Sequence, residues 1–481
     1  MAKRFLTPKT ENISEWYNQV IQRSGLADNA PVRGCMVIRP RGYAIWEHIQ
    51  NYMNQLFAEL GIDNAYFPLF IPMSLLEKEA DHVEGFSPEL AVVTHGGGKE
   101  LQEKLAVRPT SETIMYDMFG KWVQSWRDLP LKLNQWANVV RWEKRTYFFL
   151  RTTEFLWQEG HTAHATHDEA WQMVLAGLET FRQTAEELLA VPVACGYKSE
   201  SEKFAGADTT ITIEALMPDG KAVQSGTSHD LGQNFSQESA FDISFQNQDG
   251  QTEYAWQTSF GLSTRIIGAL ILTHGDDEGL VLPPKVAKTQ VRIIPATFSD
   301  LVIAKAKELE KELKQAGIRV ELNQDDSSSL GYKLNEAELQ GVPVSLILGE
   351  RELETNQATL LIRHSQQKEK ISLDQVVEKM PGILIDIHDQ MLTKARQKID
   401  DLTYEVEEYG QLKEIMNTTK GFIKAYWCES EKCEEEIQQE TTATTRCLPF
   451  TDNQGNVEEG SGVCIKCGQP AKHRWLFAQA Y

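Results

Sequence analysis

The chain has 481 residues, 41% of them hydrophobic and 24% charged, which is ordinary globular composition and too long for one hydrophobic core to organise. No apolar run approaches the roughly 20 residues of a membrane helix, and Pro8 breaks the opening stretch as a secretory segment, so a cytoplasmic protein without membrane contact is expected. With 48 basic against 69 acidic side chains the net charge is −21, which excludes a broad basic footprint and confines any nucleic-acid contact to a local patch.

Pro31, Gly34, Pro40 and Gly42 punctuate the first elements. Ile45, Ile49, Met53, Leu56, Phe57 and Leu60 then recur at helical spacing, which predicts a helix over 44–60 stopped by Gly61. Residues 64–72 read as a short apolar strand closed by Pro72. Helix plus strand suits either a plain core unit or half of a symmetric dimer seam. From Leu105 to Arg265 strand candidates alternate with polar turns. Residues 131–141 and 148–157 are expected to pair as an antiparallel hairpin around the polar loop 142–147. A helix over 167–189, a strand over 209–215, a turn at Gly220 and an extended stretch at 222–226 follow. With few parallel crossovers in view, the first domain reads as α+β on an antiparallel sheet.

Pro283 and Pro284 mark a boundary. Beyond it come a strand at 290–295, a charged helix at 300–316, strands near 318–322, 342–349 and 358–363, and helices at 330–340 and from about Leu373, together a small α/β domain. A charged helix near 394–409 leads into a cysteine-rich last domain. The expected division is 1–284, 285–395 and 396–481.

Five of the seven cysteines lie beyond residue 427. Cys428-x₄-Cys433 and Cys464-x₂-Cys467 are each short enough to turn two thiolates onto one ion, and four sulfurs make a closed tetrahedral Zn²⁺ site with a structural role. Cys447 is an alternative fourth ligand. Cys35 and Cys195 are isolated and read as buried small hydrophobes.

The densest polar stretches are 107–112, 141–143 and 151–161. Arg141 with Glu143, and Arg151 with Thr153, fall on common strand faces, where guanidinium groups grip phosphate or carboxylate. Simple salt bridging would account for any one of them. The sequence holds no Walker loop, no G-x-G-x-x-G after a strand and no serine elbow, so a bound nucleotide would be held by side chains on a sheet. His161, His164 and His167 fall short of a metal motif, and His161 suits a substrate pocket better. Residues 224–233 form a glycine-hinged polar segment, and Arg265 opens an otherwise apolar helix, where a structural salt bridge is the plain alternative.

In their order, these elements resemble a class II aminoacyl-tRNA synthetase, and within that class the prolyl-tRNA synthetases of archaeal/eukaryotic type. The three class motifs correspond to residues 42–72, 141–151 and 261–268, and the proline-specific elements to 108–112, 155–161 and 224–235. The resemblance implies ATP-dependent activation of L-proline, with Mg²⁺, and transfer to tRNA(Pro). It also implies a homodimer through the first motif, an α/β anticodon-binding domain, a zinc-bearing C-terminal domain and no editing insertion. A class II enzyme for another small amino acid, or an inactive RNA-binding relative, would share much of this outline.

Residue by residue, the resemblance implies that Arg141 contacts the α-phosphate and the amino-acid carboxylate. Glu143, Arg151 and Thr152 would hold the adenine end and distal phosphate, Gln224, Thr227 and Ser263 would complete nucleotide binding, and Arg265 would neutralise the β/γ phosphates. Thr110 and Glu112 would receive the proline ammonium, with Trp157, Glu159, His161, Phe204 and His229 around the ring. Cys428, Cys433, Cys464 and Cys467 would hold Zn²⁺. The chain departs from the family at Thr153, where arginine is common, at Phe260, where tryptophan is common, and at Ser225, where alanine is common. Tyr481 matches the family's frequent last residue.

Overall fold

A computed structural model describes residues 6–77 and 90–481, so the opening stretch lies partly outside the described residues. Helix Pro40–Glu59 starts four residues before the apolar period predicts, because Pro40 supplies the preset φ of a first helical turn. Its Ile45, Trp46, Ile49, Met53 and Phe57 are buried in the largest core, and it stops before Gly61, whose φ of +65° suits glycine. The single strand expected over 64–72 is two. Asp63–Asn64 pairs in parallel with Leu131–Val140, whereas Phe70–Pro72 joins a separate three-stranded sheet with Lys99–Val107 and Ala91–Gly96. Pro68, with no amide hydrogen to give a ladder, sits in the gap.

Among the described residues the main sheet has eleven strands. From one edge they run Thr403–Glu405, Phe422–Trp427, His473–Gln479, Ala443–Pro449, Ala194–Tyr197, Thr209–Leu216, Ala222–Gly232, Trp256–Ser263, Glu154–His164, Leu131–Val140 and Asp63–Asn64. All neighbours are antiparallel except the outermost pair at each edge, so the sheet is mixed rather than purely antiparallel. The C-terminal strands continue the same sheet: Leu448 pairs with Tyr197 and Pro449 with Gly196.

The hairpin differs from expectation in one consequential way. Leu131–Val140 is as predicted, but its partner begins at Glu154, six residues late. Residues 148–150 make a tight buried turn, with Phe149 at φ +58°. Arg141 and Glu143 therefore lie past one strand's end, and Arg151 and Thr153 before the other's start, so neither pair shares a strand face. Helix His167–Gln183, capped by Thr166 and extended by one π-turn, covers the sheet's back. Residues 224–232, expected as a hinged segment, are the body of strand Ala222–Gly232.

Residues 291–401 form the α/β unit around their own core. Val320–Leu322, Val291–Pro295 and Val344–Leu348 are parallel, and Gln357–Ile362 and Gln367–Ser372 add antiparallel strands. The last of these escaped sequence reading because it is a mostly exposed, Lys/Glu-rich edge. Helix Val376–Asp401 runs unbroken past residue 395 and takes the place of the separate helix expected at 394–409. Among the described residues no helix is long and apolar enough to cross a membrane.

A β-carbon on Gly196 would lie 2.1 Å from the Leu448 carbonyl oxygen, at the seam between domains. Gly196→Val is expected to cost about 2 kcal/mol or more and to open the chain beyond residue 403 to limited proteolysis. An unchanged melting curve and cleavage pattern would contradict a continuous sheet.

Candidate active site

At the centre of the main sheet's open face lies a cavity of about 240 Å³. Strand alternation builds it. Glu154–His164 presents Phe155, Trp157, Glu159 and His161 at every second position, and Trp256–Ser263 presents Ser259, Gly261 and Ser263. On Ala222–Gly232 the register moves from Ile213–Gly226 to Glu214–Gln224, a bulge at Ser225 that returns Gln224 to the face carrying Thr227 and His229. The floor is close-packed: the Phe260 ring lies where Gly160 has no side chain, since a β-carbon there would come within 2.1 Å of it.

Two guanidinium groups stand on the rim. Arg141 donates from Nε to the Pro109 carbonyl at 3.1 Å and lies 5.4 Å from the Trp157 ring centre. Arg265 donates to the carbonyls of Leu150 at 3.0 Å and Gln224 at 3.2 Å. Peptide oxygens thus help to fix both orientations. Burial, then Arg141 and Arg151, push the Arg265 guanidinium down to about 10, which marks a site that favours a bound anion.

The opposite end is carboxylate- and imidazole-lined. Thr110 donates to Glu112. Glu159, fully buried, accepts from Ser111 Oγ at 2.6 Å, Gln135 Nε2 at 2.8 Å and His161 Nε2 at 3.4 Å. Burial alone would push its carboxyl up, but these donors outweigh burial and hold it below the usual carboxylate range. His161 Nδ1 faces Tyr116 Oη at 3.1 Å, and His229 Nδ1 faces Thr210 Oγ1 at 2.9 Å. Burial, then His161, push His229 down to about 3, so it is neutral at physiological pH.

The cavity brings together Thr110, Glu112, Arg141, Trp157, Glu159, His161, Phe204, Gln224, Thr227, His229, Ser263 and Arg265. Glu143, Arg151 and Thr152 stand outside its lining. Arg151 pairs with Glu143 at 3.0 Å, and Thr152 borders a neighbouring cavity of about 330 Å³ beside Cys35 and Tyr147. Arg108, in the same polar stretch, is a structural clamp, buried and bonded to the Phe67 and Asn138 carbonyls. His164 bonds Thr162 and His167 bonds Asp230, so the three histidines serve separate partners. Sequence reasoning missed Phe155, Glu202, Thr210 and Ser259 as lining residues. The polar alternation Thr210-x-Thr212-x-Glu214, buried throughout, was the available signal for Thr210.

The Sγ atoms of Cys428, Cys433, Cys464 and Cys467 lie within 4.8 Å of one another, with Cys428 3.7 Å from both Cys433 and Cys467. A tetrahedron of metal–sulfur bonds of about 2.3 Å has edges of about 3.8 Å, so the group fits Zn²⁺. Gly468, at φ +74°, lets the 464–467 turn close through its amide to the Cys464 carbonyl. Cys447 is buried in strand Ala443–Pro449 and takes no part, and Cys35 and Cys195 are half-buried rather than buried. Burial pushes the Cys195 thiol up to about 12, far from nucleophilic.

Family profiles match in the same order. A tRNA synthetase class II core domain (G, H, P, S and T) covers residues 93–274, an anticodon binding domain 290–382, and a prolyl-tRNA synthetase C-terminal domain 409–481. The antiparallel centre of the sheet with its rim of arginines is the core of a class II aminoacyl-tRNA synthetase. The chain is 52% identical over 99% of its length to the proline--tRNA ligase of Alkaliphilus oremlandii, of which it covers 98%, and 51% identical to that of Chloroherpeton thalassium with both chains fully covered. The crystal structure of prolyl-tRNA synthetase from Cryptosporidium parvum complexed with halofuginone and AMPPNP superposes with a TM-score of 0.94 at 42% identity, covering 99% of this chain and 97% of that one. The chain belongs to the prolyl-tRNA synthetase family.

Burial, then Lys132, also push His164 down to about 4, whereas an unfolded imidazole titrates near 6.5. Between these values the unfolded chain binds a proton that the folded chain refuses, so stability falls as pH drops through that window. The melting midpoint should decline from pH 7 to pH 4.5, and His164→Asn should flatten the decline by one proton, about 1.4 kcal/mol per pH unit. A decline unaltered in the variant would contradict a buried neutral imidazole. Separately, Cys433→Ser is expected to lower bound zinc from about one per chain and to add an early unfolding transition in calorimetry. Retained zinc and a single transition would remove the structural role.

Proposed function

We propose that this chain is a proline--tRNA ligase: it activates L-proline with ATP and transfers the prolyl group to tRNA(Pro). The observation that carries this reading is the convergence of all eight residues expected around proline, and of five expected around ATP, on one cavity.

In the first step a proline carboxylate oxygen attacks the α-phosphorus of ATP and pyrophosphate leaves. Negative charge accumulates on oxygens, so fixed cations dominate the catalysis, and no covalent nucleophile is required of the protein. Arg141 spans the carboxylate and the α-phosphate, and Arg265 meets the distal phosphates with Gln224, Thr227 and Ser263 beside it. Glu143, Arg151 and Thr152 act from the adjoining loop on the adenine end and the distal phosphate. Mg²⁺ enters with ATP. Thr110 and Glu112 take the ammonium, and Trp157, Glu159, His161, Phe204 and His229 surround the ring. In the second step a hydroxyl of the terminal adenosine attacks the prolyl carbonyl and AMP leaves.

The chain divides into catalytic (1–284), anticodon-binding (285–395) and zinc-bearing (396–481) domains, with helix Val376–Asp401 carrying the second boundary on to about residue 401, a division supported by three hydrophobic cores that lie mainly within these ranges. It is of the archaeal/eukaryotic type without an editing insertion, a reading supported by residues 154–263, whose strands and helix belong to the core itself or to a short two-stranded flap at 244–254. It acts in the cytoplasm as a homodimer through residues 42–72, a region whose Tyr43, Tyr66 and Phe70 are exposed.

Arg141→Ala and Arg265→Ala are each expected to slow proline-dependent ATP–pyrophosphate exchange at least about 100-fold. Near-normal exchange in both would remove the assigned roles, and wild-type exchange driven by another small amino acid in place of proline would redirect the function.

A further inference from the structure

One wall of the amino-acid cavity is tied to the sheet at only a few points, among them the Lys198 amide to the Thr210 carbonyl and the Asp208 amide to the Asp230 carbonyl, each at 2.9 Å. Residues 198–207 close that side with Glu202 and Phe204, yet they form turns outside any strand ladder. Their remaining side-chain anchors include several from the cysteine-rich domain, more than 200 residues away in sequence.

Glu434 follows the metal ligand Cys433 on helix Glu431–Thr441 and is buried. Its carboxylate accepts from Ser199 Oγ at 3.2 Å, and from the hydroxyls of Ser201 and Thr445. Lys198 Nζ donates to the Arg446 carbonyl at 3.1 Å. Ser199 is the hub of the loop, because its carbonyl accepts the amides of Glu202 at 3.1 Å and Lys203 at 2.9 Å. Downstream, the Phe204 amide donates to Thr210 Oγ1 at 3.0 Å, and its ring stands 4.9 Å from that of His229. A second strut runs to the phosphate end. Arg446 donates to the fully buried Glu214 at 2.8 and 3.1 Å, and Glu214 is paired across the sheet with Gln224, whose carbonyl holds Arg265.

We propose that the cysteine-rich domain is a working part of the amino-acid site, with Glu434 the positioning residue that sets the loop bearing Glu202 and Phe204. A carboxylate holding several hydroxyls fixes the loop more tightly than neutral acceptors would, and its place beside a metal ligand ties loop geometry to metal occupancy. Filling the metal site and binding the amino acid are therefore linked, although no cysteine touches the cavity. This rests on the cavity being the proline site.

The test is steady-state exchange kinetics on the full-length, zinc-replete enzyme. Glu434→Ala is expected to raise the half-saturating proline concentration about 10-fold while half-saturation by ATP and the maximal rate change less than about 2-fold. Glu434→Gln, which keeps an acceptor oxygen, is expected to recover most of the loss. Stabilisation of the fold by proline, read as a melting shift, should weaken in parallel. Ser201→Ala, which leaves the metal helix intact, should raise the same constant about 3-fold and serves if Glu434→Ala folds poorly. An unchanged proline constant in the folded variants, or equal losses for proline, ATP and maximal rate, overturns the proposal. A wild-type enzyme that does not respond to proline at all overturns the underlying reading instead.

Discussion

Like charges held close together repel, and the rim of the central cavity is built around that repulsion. Arg141 and Arg265 share one rim, with Arg151 close enough to depress Arg265 further. Peptide carbonyl oxygens from Pro109, Leu150 and Gln224 help to orient them. Elsewhere Arg363 is paired with Asp276 and Arg446 with Glu214, while the structural clamp Arg108 is held, like the rim pair, by peptide carbonyls. A polyphosphate beside a carboxylate would relieve the repulsion that depresses Arg265, and stabilisation is greatest where the reacting oxygens gather charge.

Holding that arrangement requires the sheet to be exact at a few points. The bulge at Ser225 turns Gln224 toward the cavity, and missing side chains at Gly160 and Gly177 admit the Phe260 ring. Glu159 ties the loop of Ser111 to the hairpin, so that Thr110 and Glu112 face the cavity's far end. Strand pairing at Tyr197 and Leu448 carries the same sheet into the C-terminal domain, which makes that domain a neighbour of the cavity rather than an appendage.

Much of this was legible in the sequence where the signal is local. Helical periods pointed to helices over 44–60, 167–189 and 300–316, found at 40–59, 167–183 and 300–315, and the two short cysteine spacings pointed to the sulfur cluster. The twelve expected residues that line the cavity came through the family resemblance and the motifs that carry it. What failed was long-range or geometric. Phe148 to Leu150 look like a strand by composition, but the chain must turn there to bring Leu150's carbonyl to Arg265. Ser225 betrays no bulge in its own residue type, and pairing between residues 197 and 448 spans 251 positions, which periodicity cannot register. Glu434 stands in a run of three glutamates whose composition says only that a helix is acidic, and burial alone distinguishes it.

The most direct test of the central claim is a crystal structure with a non-hydrolysable prolyl-adenylate analogue. The account requires the phosphate surrogate to lie within hydrogen-bonding distance of Arg141, with the ring between Trp157, Phe204 and His229 and the ammonium at Thr110 and Glu112. A ligand bound with its phosphate surrogate away from both Arg141 and Arg265, or with its ring outside this cavity, would contradict it.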